Sequence, residues 1–254
     1  MAAARAAKTQ AVLIPGFAHA NSSPSCGGKR VTVSVIIPTL NEESCLSDTL
    51  LLLRRQQPLE IIVVDGGSVD GTLHAAGSAD LVLQAPGGRA RQMNAGAARA
   101  QGDVLLFLHA DCSLETGALT ETERLLGRQK TIAGCFRMTV RAHSWLYRAI
   151  EACATARVRL TGIIYGDQGL FLRRKYFERL GGFPALRLME DLFFSKQLRR
   201  HGRIAVAKKR IFVSPRRWQR RGLVRQTLRN WSLTALAAGG IHPDRLADFY
   251  PAVR

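Results

Sequence analysis

No acidic residue stands between Asp191 and Asp244, and none occurs in residues 1–30. Lys and Arg number 37 against 19 Asp and Glu, a formal charge of +18. That imbalance leaves three kinds of anionic partner open: nucleic acid, a membrane surface, or a phosphorylated substrate. The five cysteines (Cys26, Cys45, Cys112, Cys135, Cys153) include no Cys-x-x-Cys pair. Their spacing argues against a zinc site and fits free thiols in a reducing compartment. No apolar run reaches the ~18 residues of a membrane span. A Walker A loop, a Gly-x-Gly-x-x-Gly dinucleotide turn and a Gly-x-Ser-x-Gly nucleophile turn are also absent.

What is present is a chain of 254 residues, 46% hydrophobic, enough for one sizeable core. Residues 1–30 differ from the rest in lacking acids and in carrying a Ser23-Pro24-Ser25-Cys26-Gly27-Gly28 linker. Ala18-His19-Ala20 mimics a signal-peptidase site, but the apolar stretch before it is broken by Pro15 and Gly16. A disordered or organellar-targeting tail is expected there, with a single domain over 31–254. The expected location is cytoplasmic, organellar targeting staying open.

From Val33 on, strands and helices alternate. Residues 33–37 read as a buried parallel strand ended by Pro38. Asn41 reads as an N-cap, with Leu46, Leu50 and Leu53 on one face of the helix that follows. Strands are expected at 61–64, 80–83 and 103–108, and a helix at 89–100. This order implies an α/β fold with a mostly parallel central sheet and helices on both faces. Beyond residue 133 the pattern changes. An edge strand is expected at 134–140, strands at 168–172 and 204–213, and helices at 143–160, 191–200 and 222–238.

Chemistry concentrates at the carboxyl ends of these strands, where open α/β sheets bind ligands. Asp65 ends one strand and is followed by Gly66, Gly67 and Gly71, which allow close backbone approach. It can accept from a base ring N–H, or Ser68 and Asp70 can simply cap the next helix. His109-Ala110-Asp111 follows another strand; Asp111 can hold a divalent metal on a diphosphate or be a capping residue. Gly87-Gly88-Arg89-Ala90-Arg91 opens a helix, a place that favours anions, or is a solvated helix start. Glu190-Asp191 begins a helix: the pair complements the dipole, or one acid acts as general base. Ser214-Pro215-Arg216-Arg217-Trp218-Gln219-Arg220-Arg221 is the densest basic segment, suited to a ring or diphosphate or to a membrane or RNA surface.

In this order the segments resemble the family-2 glycosyltransferases, of GT-A fold. The resemblance rests on Pro38-Thr39-Leu40-Asn41-Glu42, Asp65-Gly66-Gly67-Ser68-Val69-Asp70-Gly71-Thr72, His109-Ala110-Asp111, Glu190-Asp191 and Arg216-Arg217-Trp218. It implies a nucleotide-binding half over 31–130 and an acceptor-side half, with a basic terminal helix, over 131–254. The donor would be a nucleotide sugar, UDP-linked in the first instance. Pro38, Thr39, Asn41, Glu42, Asp65, Ser68, Arg89, Arg91, Asn94, Arg217 and Trp218 would bind it. Asp111, with His109, would hold Mn²⁺ or Mg²⁺. Asp191, beside Glu190, would be the base of an inverting transfer to an acceptor hydroxyl.

Two departures stand out. The family's Asp-x-Asp is His109-Ala110-Asp111 here, and Gln-x-x-Arg-Trp begins with Ser214. Spellings such as Gly88-Arg89-Ala90-Arg91-Gln92-Met93-Asn94 and Gly166-Asp167-Gln168 are similar to a soluble subgroup associated with arsenosugar biosynthesis and sometimes grouped with carotenoid-acid glycosyltransferases. Gly166, Asp167 and Gln168 would then shape the acceptor side. The rivals are a transferase acting on a lipid-like acceptor at the membrane, a nucleotidyltransferase, and an inactive basic membrane- or RNA-binding module. Peripheral contact with anionic membrane is an expected partner; nucleic acid is not.

Overall fold

The computed structural model describes residues 10–12, 31–128 and 130–249, with the side chains of Gln10, Ala11, Val12, Arg217, Arg221 and Ala238 outside the description. The strands are β1 (Gln10–Val12), β2 (Val33–Thr39), β3 (Glu60–Asp65), β4 (Leu81–Gln84), β5 (Val104–Phe107), β6 (Cys112–Leu114), β7 (Thr131–Val140), β8 (Phe171–Arg173) and β9 (Arg203–Val213). The helices are α1 (Glu43–Arg54), α2 (Thr72–Ala75), α3 (Arg89–Ala97), α4 (Ala118–Leu126), α5 (Trp145–Thr161), α6 (Arg174–Arg179), α7 (Glu190–Leu198), α8 (Arg216–Arg221), α9 (Leu223–Ala238) and α10 (Pro243–Ala247).

One sheet runs in the order β1-β4-β3-β2-β5-β8-β7-β9-β6. The block β4-β3-β2-β5 is parallel throughout. The second half is tied on by antiparallel pairing of β8 with β5 and β7, and by parallel pairing of β7 with β9. This is the expected α/β class of GT-A type, with helices on both faces. Alternation within the strands builds the two faces. Val35, Ile37, Ile61 and Val63 pack with Leu46, Leu50 and Leu53 of α1. Ile36, Ile62 and Val64 pack with Ala90, Met93 and Ala97 of α3. A Cβ on Gly96 would fall 2.6 Å from Ile36 Cγ2, so glycine there lets α3 lie close on β2.

Several expectations are corrected. β2 runs through Pro38 to Thr39, and Pro38 is buried opposite Val64. Asn41 does not cap α1: it sits at φ 56, and Glu42 takes the N-cap position. The strand expected at 134–140 is no edge, because β8 and β9 flank it. Residues 166–168 form a 3-10 turn rather than the start of a strand, which begins at Phe171. β6, α4 and α6 were not foreseen, and Gln10–Val12, within the expected tail, pair antiparallel with β4. No helix among the described residues is long and apolar enough to cross a membrane.

Candidate active site

The parallel register sets Thr39 beside Asp65, so the loops after β2 and β3 leave the sheet together. Asp65 is fully buried, and its carboxylate is used locally. Its Oδ2 accepts from the N–H groups of Gly67 and Ser68, both at 2.9 Å, and its Oδ1 from the Ser68 hydroxyl at 2.5 Å. The Thr39 hydroxyl, 1% exposed, lies 3.5 Å from the same oxygen. Asp65 therefore shapes the Gly66–Ser68 turn. The left-handed backbone at Asn41 aims its side chain at that turn: Oδ1 accepts from Val69 N–H at 3.0 Å, while its own N–H donates to Ser68 Oγ at 2.9 Å. Gln92 of α3, 3% exposed, ties the strand ends by donating to the Thr39 and Val64 carbonyls at 2.7 and 2.8 Å.

Two charged clusters lie at the ends of the central strands. The first joins Arg89, His109, Glu190, Asp191 and Gly166. Arg89 Nε pairs with Glu190 Oε1 at 3.3 Å, and Arg89 Nη1 lies 3.4 Å from His109 Nε2. A guanidinium only donates, so a hydrogen bond across this contact requires His109 to accept through Nε2. Asp191, in the first turn of α7, accepts from Gly166 N–H at 2.5 Å and from Leu192 N–H at 2.7 Å. A Cβ on Gly166 would lie 2.8 Å from His109 Nε2 and 3.3 Å from Asp191 Oδ2, which places all three together. They border a small cavity of about 10 Å³ with apolar walls that include Phe107 and Phe183. Glu190 is 2% exposed, and burial raises its carboxyl above the usual range; Arg89 opposes the rise and Asp191 adds to it.

The second cluster is held by Arg216, the first residue of α8. Its Nη2 donates to Glu42 Oε2 at 3.1 Å and to Asp111 Oδ2 at 3.3 Å. Cys45 donates to Glu42 Oε2 at 3.3 Å, and burial, then the neighbouring Glu42, pushes its thiol up to about 12. In the structure His109 contacts Arg89, and Asp111 contacts Arg216. Among the described residues no group of three or more His, Cys, Asp or Glu could hold a metal. Asp111 already holds a cationic group, so the donor set fits a divalent ion shared between one carboxylate and phosphate oxygens, not an all-protein site.

The remaining expected residues have other placements. Asn94 clamps α3 to the chain before α7, donating to the Phe183 carbonyl and accepting from its N–H, both at 2.9 Å. Arg91 is exposed. Trp218 packs edge-on against Tyr147 at 5.9 Å and anchors α8 to α5. The side chain of Arg217 lies outside the described residues. Gln168 is fully buried and accepts from Arg157 at 2.5 Å, and of the 166–168 turn only Gly166 lines the small cavity. Arg216, Cys45 and Gln92 were missed as site residues. For Arg216 the signal was present in the basic segment, but the Arg-Trp spacing drew attention to Arg217. A wider groove of about 780 Å³ between α5 and β7, lined by Arg137, Arg148 and Arg210, shares no residue with either cluster.

Comparison with known proteins supports the fold. The mannosyltransferase PcManGT of Pyrobaculum calidifontis, solved with GDP-Man and Mn2+, superposes with a TM-score of 0.57 at 22% identity, over 70% of this chain and 56% of that one. S. aureus TarS 1-349 with UDP-GlcNAc gives 0.58 at 22% identity, over 72% and 58%. An undecaprenyl-phosphate 4-deoxy-4-formamido-L-arabinose transferase of Pseudomonas syringae pv. syringae (strain B728a) is 28% identical over 158 residues, 56% of this chain. The chain spans 46% of that relative's length. The model of glycosyl transferase family 2 matches residues 34–187, more than half of the chain, and the chain belongs to that family.

Proposed function

We propose that this chain moves a glycosyl group from a nucleotide sugar, UDP-linked in the first instance, to an acceptor hydroxyl with inversion, Asp191 acting as general base. The observation that carries this reading is the placement of Asp191. Two backbone N–H groups hold its carboxylate beside His109 and the buried Arg89–Glu190 pair. A carboxylate has about four lone-pair sites, so the two N–H bonds leave room for an acceptor hydroxyl. Arg89 neutralises Glu190 next door, which keeps Asp191 the available base. Arg216 brings a cation to the ends of β2 and β5, where the charge of a departing diphosphate would develop. Mn²⁺ or Mg²⁺, held by Asp111 and the diphosphate, would supply Lewis-acid neutralisation of that leaving group. Glu42, Asn41 and Ser68 border the proposed nucleoside side.

Arsenosugar hydroxyls belong to this reading as the acceptors to assay first, whereas a carotenoid acid, ionised at its carboxyl, needs no base and falls with a second reading. That second reading has its own support: the relative from Pseudomonas syringae is named for undecaprenyl phosphate. A lipid phosphate acceptor is already ionised and needs no base, so the two readings differ in their demand on Asp191.

The test is calorimetric titration with UDP, GDP, dTDP and ADP, with and without Mn²⁺, on wild type and Asp111→Ala. Selective, Mn²⁺-dependent binding that the variant loses is the expected result. Absence of binding to all four by folded protein would overturn the donor site.

A further inference from the structure

Helix α9 has two apolar sides. One is used: Leu233 and Ala237 are buried with Leu188 and Leu246. At 100° per residue, Val224, Leu228, Trp231 and Ala235 fall together on the opposite side. Val224 is 59% exposed, Leu228 56% and Trp231 60%, and Ala235 is exposed as well. Leu236, Ile241 and Phe249 are also exposed. Isolated exposed apolar residues are ordinary, but a stripe running the length of a helix is not.

The charge along α8 and α9 is of one sign. Residues 192–243 contain no acid, and exposed Arg220 and Arg225 stand at the α8–α9 junction. We propose that this face of α9 docks on an anionic lipid bilayer. Val224, Leu228 and Ala235 would enter the headgroup–acyl boundary, Trp231 would sit at the interface its ring prefers, and the arginines would stay among the phosphates. A second copy of the chain fits less well, since each brings a charge of +18. RNA would satisfy the arginines but leave the aliphatic side chains exposed. The helix also connects with the site: Thr234 on α9 lies 3.3 Å from the Tyr165 hydroxyl, one residue before Gly166. Docking would hold that acceptor-side turn near the bilayer. The docking itself stands apart from the glycosyl-transfer reading.

The test is co-sedimentation of the full chain with vesicles of phosphatidylcholine alone and of phosphatidylcholine mixed with phosphatidylglycerol, at low and high salt. Wild type is expected to bind the anionic vesicles at least about tenfold more tightly, less so in high salt. Leu228→Ser with Trp231→Ser should lose roughly tenfold or more. Arg225→Glu should lose severalfold, and both variants should keep the wild-type melting temperature and nucleotide binding. Four results would overturn the proposal: no sedimentation with anionic vesicles at low salt, equal binding to both vesicle types, undiminished binding by the serine variant, or a dimer that the serine variant dissociates in place of vesicle binding. Nucleotide binding, measured in parallel, reports on the donor site separately.

Discussion

Arg216 and Asp111, 105 residues apart in sequence, meet at 3.3 Å, and the same guanidinium nitrogen lies 3.1 Å from Glu42 Oε2. One arginine therefore neutralises two carboxylates from the ends of different strands. A metal ion recruited to Asp111 alone competes with that guanidinium, whereas a diphosphate offers the arginine a new partner. Arg216→Gln is expected to tighten Mn²⁺ binding in the absence of nucleotide about tenfold, the scale of one charge-assisted hydrogen bond. It should weaken UDP binding in the absence of metal. Titration of Mn²⁺ followed by electron paramagnetic resonance reads the first effect and calorimetry the second. Mn²⁺ affinity equal to wild type would mean that the arginine does not compete for Asp111.

Asp191 is tested by the isosteric amide. Asp191→Asn can accept through one oxygen but cannot take a proton. For a hydroxyl acceptor, kcat should fall by about 10²–10⁴ with UDP affinity unchanged. For a phosphate acceptor, kcat should stay near wild type. Initial rates with both acceptor classes decide between them.

Gly166 tests the geometry by addition rather than removal. In Gly166→Ala the new methyl meets His109 Nε2 at 2.8 Å and Asp191 Oδ2 at 3.3 Å. One of these side chains must shift, at a cost of about 1–3 kcal/mol. Transfer should drop strongly while UDP binding, proposed above at Glu42, Asn41 and Ser68, is retained. Stopped-time transfer assays beside calorimetry would show whether the two separate.

The order of elements was legible because buried parallel strands are short, β-branched and interrupted by turn residues, as in 33–37 and 61–64. Leu46, Leu50 and Leu53 were found from spacing for the same reason. The local bonding of Asp65 was not legible. A carboxylate at a strand end looks identical in sequence whether or not its own loop donates to it, and only the fold brings Gly67, Ser68 and Thr39 around it. Asn41 has good N-cap chemistry, but its left-handed backbone turns the side chain toward Val69 instead. The strand expected at 134–140 read as an edge because its partner β9 lies more than sixty residues later and joins it in parallel. Arg216 was passed over because neighbouring arginines in a basic run differ only in where the helix points them.

Glu190 supplies a prediction whose sign follows from its surroundings. Burial at 2% exposure raises its carboxyl above the ordinary 4.5, Asp191 raises it further, and Arg89 pulls it back. The folded protein thus holds this proton more tightly than the unfolded chain. Its contribution to stability is complete below pH 4.5 and is lost as pH rises from there through the raised value. The loss amounts to about 1.4 kcal/mol for each tenfold difference in proton affinity between the folded and unfolded chains. Glutamine cannot ionise and has no such loss. The stability of Glu190→Gln relative to wild type should therefore move in the variant's favour as pH rises above 4.5, then level off. Urea unfolding of both proteins between acid and neutral pH measures the difference. A flat difference would show that Arg89 fully offsets burial. A difference moving the other way would show Glu190 to be better stabilised as a carboxylate in the fold than in water, and would shift acid–base duty between the two carboxylates.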